Sequence, residues 1–239
     1  MNARLPQLIF WLLLIGYPFF AQGQLGTWNV LSMKTSFNER WGAFAEGQVR
    51  SLKFYDDFHY HEFKGGITYA LDKNFTFAVA TGKYDTYQSG GDFVTPKTSD
   101  EIRVFEQMTI SQTLSRIKFE HRYRAEQRFT KDGYKNRFRY RLQLVMPINR
   151  KKVEPKSWFL NTSGEIFFRD TPQYFERLRA FAGAGYQFTT THTLMVGYMH
   201  QFDYQLVDET GKNFLYVSFL FDLHRNRQRG KETIPGNVD

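Results

Sequence analysis

The chain has 239 residues, no cysteine, an aromatic content of 18% and a formal charge of +8. The missing cysteines exclude a disulfide scaffold, a thiolate metal site, a Cys nucleophile and a lipid anchor on an N-terminal Cys. So many aromatics exclude a disordered chain. Beyond the first two dozen residues no apolar run approaches the roughly 20 residues of a membrane helix.

Arg4 places one cation ahead of the apolar run from Leu8 to Tyr17. Pro18 then breaks the run, and Ala21 and Gly23 stand at −3 and −1 of a cut before Gln24. This is the build of a secretory signal peptide over 1–23, and its run is shorter than the roughly 17 residues of a spanning anchor. Cleavage would remove one charged residue, Arg4, leaving 31 basic and 24 acidic side chains, or +7. Residues 24–224 read as one all-β unit, and 225–239 as a polar tail.

From Gln24 onward the period is two, not 3.6. The alternation predicts strands near 25–36, 41–53, 58–71, 75–87, 100–113, 116–129, 136–147, 157–169, 174–188, 193–204 and 213–223. Most are longer than the five or six residues usual in soluble sheets and match the roughly 9–11 of a tilted strand crossing a bilayer. The separators Asn38-Glu39-Arg40, Asp72-Lys73-Asn74, Leu114-Ser115 and Thr189-Thr190-Thr191 are short turns. Gln88–Ser99 and Asn149–Lys156 read as longer loops. Counting back from a last strand that ends in the periplasm makes all four short turns periplasmic and sends the Gln88–Ser99 loop outside.

Each segment has a largely apolar face and a densely charged one. In 137–146, Phe138, Tyr140, Leu142, Leu144 and Met146 oppose Arg137, Arg139, Arg141 and Gln143. A soluble barrel or sandwich would bury the apolar row; a membrane barrel would turn it to lipid. Export, strand length and aromatics near segment ends favour the membrane barrel. Those aromatics are Trp28, Phe37 and Trp41; Phe54, Tyr55, Phe58 and Tyr60; Trp158 and Phe159; Phe167, Phe168, Tyr174 and Phe175; Phe202 and Tyr204. Turning Arg137, Arg139 and Arg141 to lipid would cost about 2–4 kcal/mol each near midplane, together rivalling a whole-domain stability of about 5–15 kcal/mol. The fold expected is therefore all-β: a transmembrane antiparallel up-and-down barrel in the outer membrane, monomeric and in contact with lipid and lipopolysaccharide. Eleven segments are visible. Bacterial single-chain barrels have even strand numbers, so twelve strands are expected, with ten as the alternative.

Several stretches together resemble a family. They are Leu25-Gly26-Thr27-Trp28-Asn29, Glu46-Gly47-Gln48-Val49-Arg50, Gly66-Ile67-Thr68-Tyr69 and Glu101-Ile102-Arg103-Val104-Phe105-Glu106-Gln107. Most specific is His121-Arg122-Tyr123-Arg124-Ala125-Glu126-Gln127-Arg128-Phe129. Arg137-Phe138-Arg139-Tyr140-Arg141, Glu165-Ile166-Phe167, Arg177-Leu178-Arg179, Gly185-Tyr186-Gln187 and Gly197-Tyr198-Met199 continue the likeness. From about Leu25 to Leu223 the chain resembles domain of unknown function 2490. The resemblance implies a secreted outer-membrane barrel of Bacteroidetes-type bacteria. It implies no reaction.

Strand parity collects a candidate lumenal ladder: Glu46 and Arg50; Glu62 and Lys64; Glu101 and Arg103; Glu120, Arg122, Arg124, Glu126 and Arg128; Arg137, Arg139 and Arg141; Glu165 and Arg169; Arg177 and Arg179. Two readings stand. The arginines form a narrow channel or binding barrel for small anionic solutes, or the charges pair into a salt-bridged plug with a structural role and no transport. A third reading is a membrane-embedded lipid hydrolase. His121 and His200 have outward parity, as do His59 and His61, but Ser111 points inward and no Gly-x-Ser-x-Gly elbow exists. His59 and His61 form a conceivable metal pair without an evident third ligand. No cofactor, metal, enzymatic activity or nucleic-acid partner is expected.

Overall fold

A computed structural model describes residues 24–204 and 210–224. The signal peptide expected over 1–23 and the tail expected over 225–239 lie outside the described residues. Eleven strands form the fold: β1 (Leu25–Ser36), β2 (Trp41–Lys53), β3 (Asp56–Ala70), β4 (Phe75–Gln88), β5 (Val94–Leu114), β6 (Ile117–Thr130), β7 (Gly133–Pro147), β8 (Ser157–Arg169), β9 (Phe175–Gln187), β10 (His192–Asp203) and β11 (Thr210–His224). Each pairs with its sequence neighbours, and β1 pairs with β11, so the sheet closes on itself.

The count corrects the expectation of twelve or ten strands. Every alternating segment forms one strand, and the even-number rule does not hold in this chain. The consequence is geometric. An up-and-down meander of odd number starts and ends in the same direction, so its closing ladder must be parallel. β1 and β11 pair in parallel in unbroken register, from Leu25↔Asn213 to Thr35↔Leu223. The barrel is therefore antiparallel everywhere except at this seam, and β1 enters at the end opposite to the one where β11 leaves. The end where β1 begins is here the upper end.

Local chemistry sets the turns. At the lower end, Asn38 Oδ1 accepts the backbone N–H of Arg40 (2.9 Å) and Trp41 (2.8 Å). Asp72 Oδ1 does the same for Asn74 (2.7 Å) and Phe75 (2.8 Å). Short polar side chains that mimic a backbone acceptor make such turns. These two N–H groups hold the Asp72 carboxyl below its ordinary pKa.

The loop expectations change at both ends. The Gln88–Ser99 loop shrinks to residues 89–93, because Val94 to Ser99 continue β5 beside β4, with Thr86↔Ser99 and Gln88↔Val94 across a register shift. Pro96 fits there, since β5 meets β6 only from Ile102 onward, and an unpartnered edge needs no N–H. The longer connection is 148–156 at the lower end, the end carrying the short turns. It folds back onto the bore. Arg116 Nη2 donates to the carbonyls of Pro147 (2.6 Å), Ile148 (3.0 Å) and Arg150 (3.0 Å), and Val153 is buried with Val30, Val145, Phe159 and Met195.

The outer wall is apolar: Leu31, Phe63, Ile67, Val79, Ile102 and Phe138 are each at least half exposed. Its hydroxyls bond the backbone, Thr162 to Phe181 O (2.9 Å) and Thr81 to Arg103 O (3.0 Å). Charges on this face sit beside partners. Lys83, Asp85, Lys97 and Asp100 cluster toward the upper rim, and Glu106 accepts from Gln127 (3.0 Å). Aromatic pairs ring both ends, with Trp41–Tyr69 and Trp158–Tyr186 below and Phe54–Tyr55 and Phe129–Tyr134 above. Four aromatics expected in those rings lie inside instead: Trp28, Tyr60, Phe159 and Phe167 are buried in the bore.

The seam is testable in a chain without cysteine. Neighbouring strands lie about 4.8 Å apart, within the roughly 4.4–6.8 Å span of a disulfide between Cα atoms. Leu31 pairs with Phe219. The double variant Leu31→Cys, Phe219→Cys should cross-link the first strand to the last on oxidation, detected as a loop-closed species on a non-reducing gel. A twelfth strand inserted between them would prevent the cross-link.

Candidate functional site

The charged rows occupy the interior. Strand twist and closure bring inward residues of neighbouring strands to one height, and the glutamates become nodes, each gripped by cations from adjacent walls. Glu126 on β6 accepts from Arg137 (2.6 Å) and Arg139 (2.7 Å) on β7 and lies 3.5 Å from Arg124. Glu165 on β8 holds Arg122 (2.5 Å) and Arg139 (2.9 Å), with Arg179 at 4.0 Å. Glu62 meets Arg50 (3.2 Å) and Lys64 (2.7 Å), and Lys64 also meets Glu46 (2.8 Å). Glu101 takes Arg103 (2.8 Å) and a two-pronged grip from Arg128 (2.7 and 3.0 Å). Glu120 sits 3.4 Å from Arg141 and 3.7 Å from Lys118.

Two ladder members stand apart from these nodes. Arg177 pairs with Asp203 at the upper mouth. Arg169 is half-buried and borders the same mouth, its Nε without a hydrogen-bond partner among the described residues.

The rings inside the bore stack on guanidinium planes. Arg50 lies 3.4 Å from the Trp28 centroid and 4.1 Å from Tyr60. Arg103 covers Tyr84 at 3.9 Å, and Arg124 covers Phe105 at 4.2 Å. Arg179 lies 4.7 Å from both Trp28 and Phe167. A stacked guanidinium keeps its N–H edge for in-plane hydrogen bonds and loses freedom to turn away. Parity could have shown this earlier, since Phe167 alternates with Glu165 and Arg169. Parity also finds Lys212, two residues before the inward Phe214. Glu176 and Asp203 sit at strand ends, where parity is weakest; Asp203 is the cross-strand partner of Arg177, and the curvature of the wall brings Glu176 across β8 to Arg137.

The bore is not uniform. Below the chamber it is filled: Phe44, Ala78 and Ala80 cluster with Phe105, and Phe159, Phe181, Met195 and Tyr216 belong to a second cluster that reaches up to Trp28. Inward glycines admit these rings. A Cβ on Gly185 would stand 2.1 Å from the Phe159 ring, and one on Gly197 would stand 2.6 Å from Phe181. Beside the packed rings and the salt-bridged middle, a gap of about 20 Å³ remains next to Gln143, Asn161 and Arg179. Above it opens a chamber of about 260 Å³, continuous through Ser99, Glu101, Arg128, Glu176, Arg177 and Lys212 with a mouth of about 580 Å³.

The histidines take other places. A bulge after Arg50 shifts the β2–β3 register, so Arg50 faces Tyr60 while Ser51 faces Phe58. His59 therefore borders the inner chamber, while His61 lies outside, 3.1 Å from Tyr87 Oη. This corrects the shared face expected for the pair: they cannot chelate one ion. His121 Nδ1 meets Tyr140 Oη (2.9 Å), and His200 Nδ1 meets Asn213 Oδ1 (2.7 Å). Ser111 is opposite Glu120 on the inward row. Among the described residues no cluster of three metal-binding side chains occurs.

Residues 25–211 match the family described as Protein of unknown function (DUF2490). The chain belongs to the DUF2490 family. No curated protein and no solved structure matches it. The His121–Phe129 run lies within the matched span, on β6. Four of its residues, Arg122, Arg124, Glu126 and Arg128, face the lumen as bridging charges.

Removing a node leaves its cations buried and unneutralised, which costs about 3–5 kcal/mol. Glu126→Gln should therefore lower folded-state stability by about that amount, seen as a lower urea midpoint in detergent. Glu39→Gln, on an exposed turn, should leave the midpoint unchanged.

Proposed function

We propose that this protein is an outer-membrane barrel whose lumen is a blind vestibule that receives small anionic solutes. The carrying observation is the chamber itself. Eight cationic side chains line it against three carboxylates, and packed rings lie beneath it. A cation-rich cavity shielded from bulk water attracts anions, because charge removed from water must be neutralised. A path across the barrel would need the floor of Phe159, Phe181 and Tyr216 to move, and the 148–156 loop with it.

The outer wall supports the membrane half of this reading. Apolar side chains face outward around the ring, whereas soluble monomers rarely expose a patch beyond about 300–600 Å². The aromatic pairs at both ends suit the two membrane interfaces. The signal-like N-terminus points to export. The ion-pair lattice in the middle of the bore supports the structural reading for that half of the barrel. The plug and the vestibule are stacked parts of one lumen.

The folded protein should migrate differently on a gel before and after boiling, and should fractionate with outer membranes. Reconstituted in planar bilayers, it should leave conductance near the bare-membrane baseline. Stepwise ion currents would refute the blind vestibule, and recovery in the soluble fraction would refute the membrane barrel.

A further inference from the structure

We infer that the upper chamber is a binding site for a compact phosphate-class anion: free phosphate, or the phosphoryl end of a small monoester. The inference rests on the anion-receiving reading above and narrows it to one chemistry.

The charge count comes first. The carboxylates lining the chamber are already shared between cations. Glu101 serves Arg103 and Arg128, Glu176 serves Arg137 and Arg128, and Glu62 serves Arg50 and Lys64. Glu126, Glu165 and Asp203 also reach arginines of this set. Among the described residues, crediting all three still leaves the eight lining cations in excess of the carboxylates that reach them. Lys212 borders both chamber and mouth and makes no ion pair among the described residues. The balance calls for an anionic ligand.

Direction and size narrow it further. The donors come from around the ring: Arg50 from β2, Arg103 from β5, Arg128 from β6, Arg137 from β7, Arg177 from β9 and Lys212 from β11. A flat carboxylate presents oxygens in one plane. A tetrahedral group presents them in several directions and can meet donors from opposing walls. The guanidinium of Arg103 is fixed over Tyr84 at 3.9 Å and by its bond to Glu101, so it is positioned before a ligand arrives. A volume of about 260 Å³ is many times what a single water needs. Phosphate with part of its hydration fits, and the wider mouth leaves room for a short organic tail.

The test is calorimetric titration of the folded full chain in detergent, at low salt and near neutral pH. Inorganic phosphate, glycerol 3-phosphate, succinate and chloride are compared. Either phosphate compound should saturate one site more tightly than succinate or chloride, and the tighter of the two identifies the free ion or the monoester as ligand. Lys212→Gln and Arg177→Gln should each weaken binding roughly tenfold or more, while Lys73→Gln on a lower turn should not. Retention of the unboiled gel mobility checks that each variant has folded. Succinate binding with phosphate excluded would overturn the phosphate assignment and leave the anion vestibule standing. Binding of none of these anions would overturn both. Phosphate binding unchanged in both mouth variants would place the site elsewhere and refute the proposal.

Discussion

The structure depends on one constraint: charge carried into the bore must be neutralised there. Closing the sheet gives every strand an inner face with little access to water, and this chain places arginines on that face in long rows. Isolated, each would carry a large desolvation cost. The solution is geometric. Glu165 on β8 takes cations from β6, β7 and β9, so one carboxylate neutralises more than one wall, and Glu126 ties β6 to β7. The same bonds tie neighbouring strands together at defined heights, and so help to hold the register of the whole ring. A slip of one residue would turn the rows outward.

Aromatic rings provide the second layer of order. Trp28, Tyr84, Phe105 and Phe167 stand among the guanidinium groups and not among the girdle aromatics. They fill volume that ion pairs alone would leave open, and they keep each guanidinium in one plane. Lower in the bore, rings lie across inward glycines and pack beside the Lys34–Asp222 and Lys118–Glu120 pairs. Lumen chemistry thus changes along the barrel, from a cation-rich chamber through a salt-bridged middle to a floor where packed rings stand beside a few ion pairs. That gradient turns a tube into a cup.

Closure also settles direction. Eleven strands leave the first and last parallel, so the two ends of the described chain emerge on opposite sides. Parallel ladders have evenly spaced, slanted hydrogen bonds and are slightly less stable per residue than antiparallel ones. Here the seam runs without a register break from Leu25 to the end of β1, which favours a continuous wall over a weak point.

What the amino-acid order determined by itself was the alternation. Period two is written residue by residue, so eleven alternating segments, the turns at Asn38 and Asp72 and the inward row of Arg137, Arg139 and Arg141 are legible in the chain itself. The same pattern was read past at Phe167 and Trp28, where aromatic identity suggested a girdle although parity pointed inward. The tertiary structure alone decided the rest. Strand number was misjudged because closure belongs to the ring and not to any segment, and an odd ring is possible only if the seam is parallel. The His59–His61 pair was split by a bulge that depends on how β2 and β3 pair. Glu176 and Lys212 meet at the chamber because strand ends distant in sequence converge at one mouth, a proximity that no local spacing encodes.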